Sequence, residues 1–130
     1  MTHYHFITSN VEIVSEYLEK FKLDWDERFE GSKYKIQYML DYDPSAEELG
    51  KVYEELLNHV ANNKKYDYIV LEIVYGLNAE GTPLHVLKRE KIDIGEFRKE
   101  HIIDLKPDEM ICIERNKWME RTYSKYNMEF

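Results

Sequence analysis

The sequence predicts a layered α+β domain: a mixed, largely antiparallel sheet of about six strands with two main helices and one short helix, in the order β-α-β-α-β-β-α-β-β. Three observations lead there. Ile69, Val70, Leu71, Ile73 and Val74 form the densest run of strand formers, interrupted only by Glu72 and too short for a buried helix. Leu49, Val52, Tyr53, Leu56, Leu57 and Val60 recur at helical spacing. Short apolar alternations at both ends of the chain read as further strands.

In chain order, residues 4–8 read as the first strand. Ser9 reads as a helix N-cap, with Glu12 completing a capping box. Val11, Val14, Leu18, Phe21 and Trp25 give that helix an apolar stripe that frays near Leu23. A polar link closes at Gly31 and Ser32, and residues 34–40 make the next strand. The second helix is capped either by Asp43, with Pro44 in first position, or by Ser45 paired with Glu48. Asn62, Asn63 and two lysines end it. After the central strand, Gly76, Asn78 and Gly81 suggest a turn and a returning hairpin strand over 84–88, with a short helix opened by Thr82 and Pro83 as the alternative. A short helix over 94–101 precedes strands at 110–114 and 118–124.

At 130 residues the chain reads as one domain, 1–130, long enough for a hydrophobic core. It is 43% hydrophobic and 34% charged, a composition of folded rather than disordered chains. No apolar run reaches the length of a membrane span, and no basic-then-apolar leader is visible. A single cysteine, Cys112, excludes an internal disulfide and suits a reducing cytoplasm. The net charge of −8 argues against binding a nucleic-acid backbone and is compatible with a basic protein partner, or with a divalent cation that carries a nucleotide. Eleven tyrosines suit half-exposed sheet faces and interfaces, a homodimer included.

Several groups could carry chemistry. His3 and His5 share one side of the first strand and could ligate a metal if a third ligand joined them. Thr8, Ser9 and Asn10 stand at a strand-to-helix turn, where free N–H groups and small polar side chains can cradle phosphate; a plain capping box uses the same residues. Asp41 and Asp43, with Glu47 and Glu48 nearby, could hold magnesium or simply cap the helix. Glu72 in the apolar strand needs a partner, or a solvated face. No nucleophile triad or glycine-rich phosphate loop is present.

Three segments, in order, resemble the inosine/xanthosine triphosphate pyrophosphatases. Phe6-Ile7-Thr8-Ser9-Asn10 is similar to the family's strand followed by T-G-N-x-x-K, although Ile13 replaces the lysine. Residues 68–96 resemble its central hairpin. Lys106 to Glu114 matches its aspartate and glutamate block at Asp108 and Glu114, and Arg121-Thr122-Tyr123-Ser124-Lys125 follows. The catalytic E-D-S-G motif and the C-terminal S-H-R segment have no counterpart. The resemblance implies a reduced pyrophosphatase-like domain that binds a purine nucleotide through Thr8, Ser9, Asn10 and Asp108. It implies magnesium at Asp41 or Asp43, and little or no catalysis, because charge neutralisation of the triphosphate needs the missing acids and lysine. The alternative is a non-catalytic acidic interaction module, of a phage-type or immunity-type inhibitor kind. Its acidic faces would be Asp24, Asp26, Glu27 and Glu30, and Glu47, Glu48, Glu54 and Glu55.

Overall fold

β3 (Tyr68–Leu77) is the middle strand of a five-stranded sheet of order β2-β1-β3-β5-β4. The computed structural model describes residues 3–24, 34–41, 43–77 and 84–116. β1 (His3–Ser9) and β5 (Glu109–Asn116) pair antiparallel with its two edges, β2 (Ile36–Met39) pairs antiparallel with β1, and β4 (Lys88–Asp93) pairs parallel with β5. The α+β class and mixed sheet agree with the sequence reading. The described sheet has five strands rather than six, and the strand expected at 118–124 lies outside the described residues.

β3 is apolar on both sides because both its faces and both its edges are occupied. One sheet face carries Ile7, Ile73 and Ile111 in one row and Ser9, Leu71, Ile113 and Ile92 in the next. The helices lie on that face: α1 (Glu16–Glu19) through Leu18, α2 (Ala46–Asn62) through Leu49, Val52, Leu56 and Val60, and α3 (Lys99–Ile103) through Ile102. On the other face Phe6, Val74 and Met110 form a smaller cluster with Leu84 and Val86 packed on it. A methyl group at Gly76 would come within 3.2 Å of Leu84 Cδ2, so glycine permits this close approach.

α2 forms as its stripe predicts, with Ser45 as the N-cap. The Ser45 hydroxyl accepts the Glu48 N–H at 3.1 Å and donates to the Glu48 carboxylate at 3.2 Å. Arg115, buried at the end of β5, closes the other end of the helix. Its guanidinium donates to the carbonyls of Val60, Asn63 and Tyr66 at 2.7–3.0 Å, placing positive charge at the helix C-terminus.

Three expectations are corrected. The first helix does not start at Ser9. Ser9 stays in β1, its hydroxyl tied to both backbone groups of Val11, and the chain remains non-helical until Ser15 caps a four-residue α1. Val14, expected on the apolar stripe, is 90% exposed. The strand expected over 84–88 does not form as a hairpin partner of β3: 84–87 are neither strand nor helix, and Lys88 opens a different strand. β5 takes the edge of β3 that the hairpin would need, and the strand forms later, at the charged run Lys88-Arg89-Glu90-Lys91 on the outside of the sheet. Charges suit such an edge because they discourage pairing with another chain. The helix expected over 94–101 is a 3-10 turn at Ile94–Glu96 followed by α3.

Candidate functional site

Thr8, Ser9 and Asn10 lie together at one end of β1, and their side chains bond within the protein. Thr8 Oγ1 donates to Glu72 Oε1 at 3.0 Å across β1 and β3. Asn10 continues the strand pairing with its side chain, accepting from Val70 N at 2.9 Å and donating to the Tyr68 carbonyl at 3.0 Å. No helix begins there, so the four free N–H groups of a helix start are not part of this turn.

Asp108 stands at the other end of the sheet. Its backbone N–H donates to the Tyr75 carbonyl at 2.7 Å, and its carboxylate lies 3.3 Å from His3 Nε2. Five steps along β1 separate His3 from Thr8, about 17 Å of strand. The structure therefore does not bring Asp108 to Thr8, Ser9 and Asn10. Asp41 and Asp43 follow β2, whose end lies beside His5 through the bond from Leu40 N to His5 O, and both are exposed. Asp43 and Asp108 adopt left-handed backbone conformations, φ 52° and 64°, which aspartate tolerates better than most residues. Among the described residues no group of three or more His, Cys, Asp or Glu side chains is arranged to hold a metal ion.

His3 and His5 do share a side of β1, as the alternation predicts. His5 is buried and stacks on Tyr75, ring centroids 4.4 Å apart, with neither ring nitrogen hydrogen-bonded. Burial pushes its pKa down to about 4, so the ring is neutral near pH 7.

Glu72 belongs to a row that crosses the sheet on the side away from the helices: Gln37, Thr8, Glu72, Cys112 and Lys91 are in register on the five strands. One step further, Glu114 Oε1 accepts from Tyr68 Oη at 2.6 Å and lies 3.0 Å from Lys91 Nζ. Burial and the Glu114 carboxylate push the Tyr68 hydroxyl up, while that carboxylate holds Lys91 above its ordinary value. Acid, hydroxyl, thiol and amine are thus aligned by strand register. Sequence reading singles out Glu72 and Thr8 but has no means of pairing them, because the pairing joins residues 64 positions apart.

Acidic clefts flank α3. A groove of about 830 Å³ includes Tyr17, Tyr53 and Ile103, with Glu47, Glu48 and Glu54 beside them. A cleft of about 240 Å³ between α3 and the β4–β5 edge is lined by Glu90, Glu100, Asp104 and Glu109 around Leu105 and Ile111. The α2 acids were legible as an acidic face. The second set was not, because it assembles from β4, α3 and β5. Asp26, Glu27 and Glu30 lie outside the described residues. Among the described residues no helix is long and apolar enough to cross a membrane. No protein-family model matches the chain, and comparison with curated proteins and with solved structures finds no significant match.

Proposed function

We propose that this chain is a non-catalytic acidic interaction module that binds a basic protein. The observation that carries the reading is the unneutralised acidic surface around α2, α3 and β4. Glu47, Glu54, Glu90, Glu100 and Asp104 enter no ion pair among the described residues. Such a surface steers a positively charged partner and suppresses phosphate-rich ones. The internal engagement of Thr8, Ser9 and Asn10 points the same way, since those side chains would have to leave Glu72, Val11 and the β3 backbone to hold a phosphate.

Affinity isolation with the immobilised chain at low salt, followed by binding measurements on purified candidates, tests the reading. Retention of a defined basic protein that releases as salt rises supports it. Salt-insensitive behaviour with no partner removes it. Nucleotide binding by a reduced pyrophosphatase-like scaffold is the competing proposal, and the shared order of three sequence segments is its support. Calorimetry with ATP, ITP, XTP and their monophosphates in magnesium decides that one.

A further inference from the structure

We propose that the two clefts flanking α3 form one docking surface for a cationic segment of a partner protein, whose arginine or lysine side chains meet the acidic rims while aliphatic side chains fill the floors. The proposal rests on the acidic-module reading and adds the place and chemistry of contact.

α3 is the shared wall. Lys99 and Ile103 line the larger groove, while Glu100, His101, Asp104 and Leu105 line the smaller cleft. Each hollow has an apolar floor under an acidic rim: Tyr17, Tyr53 and Ile103 on one side, Leu105 and Ile111 on the other. Two of the basic side chains in these walls are already offset. Lys51 lies 3.3 Å from Glu55, and Lys88 lies 3.7 Å from Glu109. Lys99 lines the same groove as Glu47, Glu48 and Glu54 and, among the described residues, forms no ion pair with them. The local field registers at Tyr17, where burial, then Glu48, with smaller contributions from Asp41 and Glu55, raise the hydroxyl against the opposing pull of Lys51.

That chemistry selects the occupant. A phosphate backbone is repelled by these carboxylates. A bare metal ion finds no converging group of three acidic or histidine ligands among the described residues. A free polyamine offers charge but little to cover two apolar floors separated by a helix. Arginine offers a planar cation that pairs with carboxylates and stacks on tyrosine, on a long apolar stem. Several such side chains linked in one segment can reach both hollows, and arginine anchors are common at the energetic centres of interfaces.

The amidated peptide LRALRKLR, titrated into the isotope-labelled full chain and followed by NMR, tests this. Two substitutions, combined in one variant whose amide spectrum checks that it folds, place positive charge in the hollows. A Cβ at Gly50 meets nothing within 4 Å, so the Gly50→Arg side chain starts into open space, and Asp104→Lys puts a cation at the end of α3, where the helix favours it. The control Glu19→Lys with Asp67→Lys adds at least as much positive charge elsewhere. The proposal predicts shifts centred on Tyr17, Gly50, Tyr53, Ile103 and Leu105, and affinity about tenfold weaker in the Gly50→Arg/Asp104→Lys variant but within about twofold in the control. Shifts centred elsewhere, or equal weakening by both variants, overturn the docking surface and leave the acidic-module reading standing. Absence of saturable binding also overturns the surface; the reading itself then depends on the basic-protein isolation described above.

Discussion

Thr8 and Glu72 are cross-strand partners on β1 and β3, and the Thr8 hydroxyl donates to the Glu72 carboxylate at 3.0 Å in a buried setting. This contact turns a residue expected to cradle phosphate into a support for an acid in the most apolar strand. Thr8→Val keeps the shape and removes the donor. Stability should fall by about 1.5–3 kcal/mol, the range for losing one hydrogen bond to a charged group. Urea unfolding measures it, and an unchanged midpoint would show that the bond contributes nothing.

Arg115 joins β5 to the end of α2 through three carbonyls. Arg115→Met retains much of the stem and loses the charged donors. A loss on the order of 3 kcal/mol is expected, since hydrogen bonds to charged groups exceed neutral ones and the carbonyls at the helix end lose their cap. The same unfolding assay reads it, and amide exchange near Val60 should quicken.

His5 and His59 are buried, and each has a pKa lowered to about 4; burial dominates for both, and the Arg115 charge adds to it for His59. In the unfolded chain each titrates near the ordinary histidine value of about 6.5. As pH falls below that value the unfolded state binds protons that the folded state refuses. Stability is therefore full above about pH 6.5 and declines towards pH 4, by up to roughly 3 kcal/mol per histidine. His5→Phe preserves the stack on Tyr75 and removes one of the two groups. Unfolding midpoints at pH 7 and pH 5 should differ less in the variant than in the parent chain.

Gly50 lies inside α2 with open space where a Cβ would sit. Gly50→Ala should stabilise the protein by about 0.5–1 kcal/mol, because alanine loses less backbone freedom in a helix. Thermal unfolding checks the direction, and a fall in stability would mean that the glycine serves a contact at this surface.

The fold was legible where burial and periodicity agree. β3 and α2 announce themselves because one is apolar on both faces and the other on one. The Ser45–Glu48 capping box is local and was readable as one of two alternatives. Val11, Val14, Leu18 and Phe21 misled because helical spacing can arise by chance: Ile13 packs inward, Val14 faces water, and Asn10 holds the chain to the β3 backbone. Sequence propensity points to a strand before β4 because the residues of β4 are charged, which the edge position explains but strand propensity penalises. The register row containing Thr8, Glu72 and Cys112, and the cleft shared by Glu90, Glu100, Asp104 and Glu109, join residues distant in the chain. Only tertiary pairing brings them together.

Calorimetric titration of the full chain with the peptide LRALRKLR at low and at high salt, beside a titration with ITP and magnesium, separates the two proposed functions. An acidic interaction module that docks cationic segments beside α3 predicts saturable peptide binding that weakens as salt rises, and no binding heat from the nucleotide. Saturable binding of magnesium-ITP with none of the peptide would contradict the account and return Thr8, Ser9 and Asn10 to the centre of the site.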